Sequence, residues 1–183
     1  NLVCPASFDL GEEARVVDLG TGPGLPAWPL ARVRPDLTVI AVDSNGKMLE
    51  FLRSVPLPNL SVVQGRAEDL APLRADLVTG RAIAPLPAQL ELSAPHVRKG
   101  GFVVPLRTIA DRDVIPRLDL RPLGLELRGG EERTVGETVR FLPVFVRTGP
   151  VAKGYPRHWN RIKVAPLLLE PTGESSPVSP SPE

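Results

Sequence analysis

The sequence is poor in the residues that build disulfide frameworks and metal sites. In 183 residues it has one cysteine, Cys4, and two histidines, His96 and His158. A single cysteine excludes an intramolecular disulfide, and neither histidine has a cysteine or a carboxylate at the spacing of metal ligands. We therefore predict no metal site, and a reduced thiol of the kind found in the cytoplasm.

Long hydrophobic runs are also missing. No apolar stretch reaches the ~18 residues that would indicate a membrane-spanning helix. The first ten residues have neither the basic start nor the cleavage pattern of a signal peptide. We therefore expect a cytoplasmic protein without a membrane partner. Its 183 residues suffice for one α/β domain, and nothing in the sequence demands more than a monomer.

Acidic residues are absent from one stretch near the end of the chain. The formal net charge is only +1. Residues 140–169, however, contain no acidic side chain and these basic ones: Arg140, Arg147, Lys153, Arg157, Arg161 and Lys163. Such a stretch is typical of a surface that binds a polyanion, and a solvated basic surface explains it equally well.

Short runs rich in valine, isoleucine and leucine alternate with helix-length segments, which is the pattern of a parallel sheet with crossover helices. The predicted strands are 14–20, 37–43, 60–65, 75–80 and 101–106, and the predicted helices are 26–34, 44–55, 85–97 and 109–120. Ser44 is the expected N-cap of the second helix. A terminal antiparallel hairpin is predicted from 123–129 and 137–149, with "GGEE" (129–132) in its connection. We therefore predict a mostly parallel, seven-stranded α/β sheet with helices on both faces.

The composition changes at the end of the chain. Residues 170–183 are rich in proline, serine and glutamate and show no periodicity, which is typical of disorder. We assign residues 1–167 to one domain, with a basic C-terminal segment at 140–167, and residues 168–183 to a disordered tail.

Three glycines follow the first predicted strand at alternate positions: Gly20, Gly22 and Gly24. A glycine turn between a strand and a helix lets the backbone approach a ligand, which then faces the free N–H groups of the helix. The dinucleotide fingerprint requires a glycine where this chain has Leu25, and Pro23 lacks an N–H group that a pyrophosphate could bind. A ligand without phosphate therefore fits this turn better.

The second predicted strand ends in Asp43, about 20 residues after the glycine turn. A carboxylate at that position can accept hydrogen bonds from both hydroxyls of an adenosine ribose. Together with Asp18 at the end of the first strand, Asp43 favours S-adenosylmethionine over NAD as the cofactor. A tight turn without a ligand is the simpler explanation, but it accounts for Gly20 alone.

Five segments, in order and spacing, resemble the RsmG family, also called GidB, whose members methylate guanine N7 in bacterial 16S ribosomal RNA. They are "DLGTGPGLP" (18–26), "VDSNGKMLEFL" (42–52), "QGRAED" (64–69), "GRAIAPL" (80–86) and "KGGFVVPLR" (99–107). The resemblance covers roughly residues 14–167. It implies a class I, Rossmann-like methyltransferase fold that uses S-adenosylmethionine. The family has a helical segment ahead of the first strand, which the short stretch 1–13 lacks, and RNA docking is expected to depend on it.

The resemblance implies that the cofactor touches five residues at the ends of three predicted strands: Gly20, Leu25, Ala67, Glu68 and Arg81. With the candidates read from the glycine turn and the second strand, the expected cofactor-binding residues are Gly20, Gly22, Gly24, Leu25, Asp43, Ala67, Glu68 and Arg81. Leu25 is expected to cover the methionine moiety, and Ala67 and Glu68 to meet the adenine edge.

The implied acceptor, guanine N7, has a lone pair that can attack a methyl group without first losing a proton. No general base is required, and the sequence offers none near the motifs, so catalysis is expected to rest on positioning. Arg81 is the one candidate catalytic residue, because a guanidinium can hold the cofactor carboxylate, a phosphate or the guanine. An internal salt bridge from Arg81 to Glu68 or Asp76 is the structural alternative.

The expected partner is 16S rRNA, in the small ribosomal subunit or its precursor, and five cations are expected to contact it: Lys47, Arg107, Arg157, Arg161 and Lys163. Tyr155, His158 and Trp159 lie among them, and they either stack on an unpaired base or fasten the C-terminal segment to the domain.

Three other functions remain open on the sequence. The first is a methyltransferase for another RNA or a small molecule, and the second is a non-catalytic module that binds RNA or the cofactor. An NAD oxidoreductase is disfavoured by Leu25 and by the lack of an acid–base residue near the turn.

Overall fold

The computed structural model describes residues 10–169. Seven strands form one sheet in the order β3-β2-β1-β4-β5-β7-β6. They are β1 (Arg15–Leu19), β2 (Thr38–Asp43), β3 (Leu60–Gln64), β4 (Ala75–Arg81), β5 (Val97–Thr108), β6 (Leu125–Val135) and β7 (Thr138–Arg147). β1 to β5 pair in parallel, whereas β7 pairs antiparallel with both β5 and β6. The predicted sheet, with its antiparallel C-terminal hairpin, is confirmed.

The helices connect the parallel strands and cover both faces of the sheet. They are α1 (Ala27–Val33), α2 (Gly46–Ser54), α3 (Leu86–Ser93) and α4 (Trp159–Ile162), and 3₁₀ turns occupy Ala67–Asp69, Ala94–His96, Ile109–Arg117 and Arg121–Leu123. Within residues 10–169, no helix is long and apolar enough to cross a membrane.

The central strands are mainly apolar because both of their faces are covered. In β1, the buried side chains of Val16 and Val17 belong to two different hydrophobic clusters, since successive residues of a strand point to opposite faces. α1 and α2 contribute to the first cluster, and α3 contributes to the second. The carboxyl ends of β1 to β4 are thereby fixed side by side at one edge of the sheet.

Three local expectations were wrong. The N-cap of α2 is Asn45, whose side chain accepts a hydrogen bond from the Lys47 N–H, and Ser44 lies one residue outside the helix. The segment predicted as a helix over 109–120 is a 3₁₀ turn that ends at Arg117, and Pro116 within it has no N–H group to donate to a helical carbonyl.

The third wrong expectation placed "GGEE" in the connection of the hairpin. Residues 129–132 lie inside β6, and the turn is at Gly136, which has a positive φ of 59°. The register of the β6–β7 pair shifts between Leu127 and Gly129. At Gly130 a Cβ would lie 2.7 Å from the ring of Phe141. These glycines therefore mark a bulge and a close side-chain approach, which require glycine as a turn does.

α3 is buried along its whole length, including its polar residues. Its Glu91 is fully buried, and the carboxylate accepts hydrogen bonds from the backbone N–H of Arg157 at 2.8 Å and from the Arg157 guanidinium at 2.8 and 2.6 Å. This ion pair brings the C-terminal segment back onto α3.

The chain remains ordered slightly beyond the predicted domain end at residue 167. Leu168 forms an isolated bridge with Leu118, and the Leu169 N–H donates to the Arg117 carbonyl. The rest of the predicted disordered tail, 170–183, lies outside the described residues.

We expect the substitution Arg157→Met to lower the free energy of unfolding by about 3–5 kcal/mol, because it leaves the Glu91 carboxylate buried without a counter-charge. Arg161→Met is the matched control. Arg161 is exposed and forms no ion pair within residues 10–169, so its loss should change stability by no more than about 0.5 kcal/mol. Urea unfolding of the two variants checks this, and equal stabilities would contradict it.

Candidate functional site

A cavity of about 330 Å³ opens at the carboxyl ends of β1 to β4. Parallel α/β sheets bind ligands at this edge, where the strand order reverses, and here the reversal is between β1 and β4. We call it the first cavity. Its walls are Leu19, Gly20, Val42, Asp43, Ser44, Gly65, Arg66, Ala67, Glu68, Arg81, Ala82, Ile83, Leu92 and Trp159.

The three glycines of the turn after β1 have different surroundings. Gly20 lines the first cavity with a φ of 64°, and a Cβ there would overlap the Ile83 side chain, whose own Cβ would be 3.0 Å away. Gly24 packs against α2, because a Cβ there would lie 2.6 Å from Leu52 Cδ1. Gly22 has a φ of 56° with open space around it. Of the three, only Gly20 reaches the cavity, and ligand contacts from Gly22 and Gly24 stay predictions.

Asp18 fixes the shape of this turn through the hydrogen bonds of its carboxylate. Its carboxylate is fully buried, and Oδ2 accepts hydrogen bonds from the Thr21 hydroxyl at 2.6 Å and the Ala27 N–H at 3.1 Å. Its other oxygen, Oδ1, has no hydrogen-bond partner within residues 10–169. Burial raises the pKa of Asp18 to about 6, against the lowering effect of these two hydrogen bonds and of the Arg81 charge.

Asp43 holds the turn from the side. Its Oδ2 accepts a hydrogen bond from the Gly22 N–H at 2.8 Å, and its Oδ1 accepts one from the Asn45 N–H at 2.8 Å. The carboxylate also lines the first cavity. Each oxygen has a second lone pair, so Asp43 can accept hydrogen bonds from a bound ribose while it keeps the turn in place.

Arg81 ends β4 and is exposed at the mouth of the first cavity. The alternative of an internal salt bridge is wrong: Glu68 pairs with Arg66 at 2.8 Å and Asp76 pairs with Arg98 at 2.6 Å. Arg81 forms no ion pair within residues 10–169. Its guanidinium is therefore available to a ligand.

A second cavity, of about 890 Å³, adjoins the first. We call it the second cavity. Its walls are Leu25, Pro26, Pro29, Val33, Arg81, Ala82, Ala84, Leu106, Arg107, Thr108, Asp111, Val135, Arg140 and Leu142. Arg81 and Ala82 line both cavities, so the two cavities meet at the carboxyl end of β4. Leu25, which was expected to cover the cofactor, lies in the second cavity, and its cofactor contact stays a prediction.

The expected RNA-binding cations divide into two groups. Lys47, Arg161 and Lys163 are exposed and form no ion pair in the part of the chain that the structure describes. Arg157 is engaged with Glu91 and with the Ala165 carbonyl, so part of its guanidinium is used within the fold and its RNA contact stays a prediction.

Arg107 is also engaged within the fold. Its side chain is 9% exposed and pairs with Asp111 at 2.8 Å. It also donates to the Ala84 carbonyl and the Gln89 Oε1, each at 2.8 Å. Four of its five guanidinium N–H groups are thus used, and one remains for an RNA phosphate. The RNA contact of Arg107 stays a prediction.

Sequence reasoning did not place two residues that shape the first cavity. Trp159, considered for RNA stacking or for fastening the segment, lines the first cavity. His96 is fully buried, and its Nε2 donates to the Ala67 carbonyl at 2.9 Å. Burial lowers the pKa of His96, which keeps the ring neutral. His96 lies just after α3, and Ala67 is 29 residues away from it in the sequence. The local sequence therefore gives no signal of this contact.

A family model described as rRNA small subunit methyltransferase G, GidB, matches residues 3–121 of the chain. The chain belongs to this family. Among its relatives, the ribosomal RNA small subunit methyltransferase G of Lachnoclostridium phytofermentans is 32% identical in an alignment 178 positions long that covers 88% of this chain and 72% of that protein. The protein of the same name from Thermobifida fusca is 44% identical in an alignment 99 positions long that covers 51% of this chain and 42% of that protein. The resemblance read from the motifs is confirmed, and with it the class of enzyme.

Solved structures of other methyltransferases share the fold of this chain. The 16S rRNA (adenine(1408)-N(1))-methyltransferase of Catenulisporales acidiphilia is 19% identical, with a TM-score of 0.60 over 76% of this chain and 87% of that chain. M. jannaschii TYW2, solved in complex with AdoMet, is 18% identical, with a TM-score of 0.59 over 75% and 70%. The class I methyltransferase fold is confirmed.

Substitution at Gly20 tests the close approach of the turn to Ile83. Gly136 in the β6–β7 turn is the matched control, because its φ of 59° is close to the 64° of Gly20 and nothing lies within 4 Å of an added Cβ. Gly136→Ala should cost about 1–2 kcal/mol for the left-handed backbone, and Gly20→Ala about 1–3 kcal/mol more for overpacking. Urea denaturation measures both, and equal losses would show that Ile83 yields freely.

The buried Asp18 predicts a pH dependence of stability. Its pKa rises from 3.8 to about 6 on folding, so the folded state binds the proton more tightly and the free energy of unfolding falls as pH rises through this window. About two pKa units correspond to about 3 kcal/mol. Asp18→Asn removes this loss, so the variant should gain about 3 kcal/mol relative to wild type between pH 4 and pH 7. Parallel pH profiles in chemical denaturation would contradict this assignment.

Proposed function

We propose that this chain transfers the methyl group of S-adenosylmethionine to N7 of a guanosine in 16S rRNA. The observation that carries the proposal is the junction of the two cavities at Arg81 and Ala82. A methyl donor and a methyl acceptor must lie in adjoining sites, and this chain has two cavities that share Arg81 and Ala82 in their walls at the ligand-binding edge of its sheet.

The first cavity has the chemistry that S-adenosylmethionine requires. Asp43 offers a carboxylate to the ribose hydroxyls, and Ala67, Leu92 and Trp159 offer apolar surface to the adenine. Arg81 can hold the carboxylate of the methionine moiety. When bound, S-adenosylmethionine supplies an electrophilic methyl group on its sulfonium.

The second cavity fits a nucleotide of an RNA strand. Leu25, Leu106 and Leu142 give it apolar walls that a base can contact. Arg81 and Arg140 stand beside them, and guanidinium groups bind phosphates and stack on bases. A flat apolar group flanked by phosphates therefore matches this surface.

The residues of the two cavities act by positioning. Guanine N7 needs no deprotonation, and the carboxylates that line the cavities already have partners. Asp43 accepts from two backbone N–H groups, Glu68 is paired with Arg66, and Asp111 with Arg107. Orienting two reactants can be worth about 7–11 kcal/mol of the barrier. We assign this role to Arg81, because it faces both cavities.

In the proposed enzyme, three exposed cations contact the phosphates of the RNA backbone. Lys47 lies at the start of α2, and Arg161 and Lys163 lie in and after α4. Contacts of this kind raise affinity without selecting sequence and weaken as salt increases. The choice of nucleotide must then come from the second cavity and from the shape of the RNA.

The test is methylation of purified small ribosomal subunits and of free 16S rRNA with radiolabelled S-adenosylmethionine, followed by mass-spectrometric mapping of 7-methylguanosine. Arg81→Ala should lower kcat/KM by at least about tenfold, because one charged hydrogen bond is worth roughly 1.5–3 kcal/mol. Asp43→Ala should weaken cofactor binding by a similar factor in calorimetry.

Lys99→Ala is the control for both variants, because Lys99 is exposed in β5 and lines neither cavity. Cofactor binding without methylation of either substrate would overturn the assignment of 16S rRNA. Methylation at a position other than guanine N7 would overturn the assignment of the acceptor atom.

A further inference from the structure

Trp159 belongs to the C-terminal segment, yet it forms part of the wall of the first cavity. We propose that its indole contacts the adenine of the bound cofactor, so that the C-terminal segment completes the cofactor site. The inference rests on the proposed function, because it takes S-adenosylmethionine as the ligand of that cavity.

The order of the strands decides which part of the ligand Trp159 meets. The ribose end of the site is marked by Asp43 at the end of β2, and Arg81 marks the opposite end, after β4. Since β3 lies beyond β2 in the sheet, the adenine must lie over the end of β3, at Ala67 and Glu68. Trp159 shares an apolar cluster with Ala67, which places the indole at the adenine end.

The position of Trp159 is fixed by contacts on either side of it in the sequence. The preceding Arg157 is bound to the buried Glu91 of α3. Ile162, one turn later, is 1% exposed and packs in the cluster that contains Leu92. The indole therefore faces the cavity on a segment that is held on both sides of it.

Ala67, in the wall of the same cavity, is held from the region of α3 as well. His96, just after α3, donates to the Ala67 carbonyl at 2.9 Å. Ala67 and Trp159 are thus both fastened beside one buried element. A flat, apolar ligand group at this end of the cavity meets both residues, and an aromatic side chain is the group that contacts a purine face best.

Tryptophan fluorescence gives a direct readout, because the chain has only two tryptophans. Trp28 lies in the cluster formed by α1 and α2, and its Nε1 donates to the Val55 carbonyl. It lines neither cavity. In the wild-type chain, S-adenosylhomocysteine and adenosine should change the emission, whereas methionine should not. In Trp159→Phe, which leaves Trp28, the change should be lost.

Calorimetry with S-adenosylhomocysteine gives the second readout. Trp159→Ala should raise Kd by at least about fivefold, as expected for the loss of one aromatic–base contact. Trp159→Phe should stay within about threefold of wild type, because it keeps an aromatic face. Asn160→Ala, an exposed neighbour in α4, should leave Kd unchanged.

The outcomes separate this inference from the proposed function. If wild type and Trp159→Ala bind S-adenosylhomocysteine with the same Kd, the inference is wrong and the proposed function stands. An emission change caused by methionine and not by adenosine would likewise overturn it. If the wild-type chain does not bind S-adenosylhomocysteine, both the inference and the proposed function fail.

Discussion

The hydrogen bonds of the buried Asp18 carboxylate connect the end of β1 to the start of α1, and the geometry of the site depends on them. They fix the turn in which Gly20 packs against Ile83, and Gly20 lines the first cavity. The arrangement costs stability, because the second oxygen of Asp18 is buried without a partner in the described chain. Local arrangements that lower stability in this way are typical of ligand sites, where the geometry of the site is kept at the expense of folding free energy.

A second set of contacts depends on α3, which is buried on all sides. Its Glu91 holds the C-terminal segment, and His96 just after it holds the loop that follows β3. Ala67 and Trp159, both in the wall of the first cavity, are therefore held beside the same buried element. Because the segment that carries Trp159 also carries the exposed Arg161 and Lys163, the cofactor and the RNA of the proposed reaction would contact the same segment.

Much of the fold could be predicted from the sequence, because the signals of a parallel sheet are local. β2, predicted over 37–43, runs from Thr38 to Asp43, and Asp43 lies at the strand end where a carboxylate can meet a ribose. Local signals failed where one residue type serves two geometries: the glycines of "GGEE" mark a bulge instead of a turn. Charge counting could not separate Arg157 from Arg161, because the partner of Arg157 is 66 residues away in sequence. The position of Trp159 follows from that same distant pair.

The composition of the second cavity has a consequence for turnover. Three guanidinium groups and one carboxylate line it: Arg81, Arg107, Arg140 and Asp111. In the proposed reaction the guanine enters this surface uncharged and leaves it as a cation, because N7 gains a methyl group without losing a proton. Because Arg107 is paired with Asp111, Arg81 and Arg140 give this surface its net positive charge. Like charges repel, so the surface that holds the substrate would repel the product. The fixed charges of the enzyme would then favour release of the modified base without a conformational change.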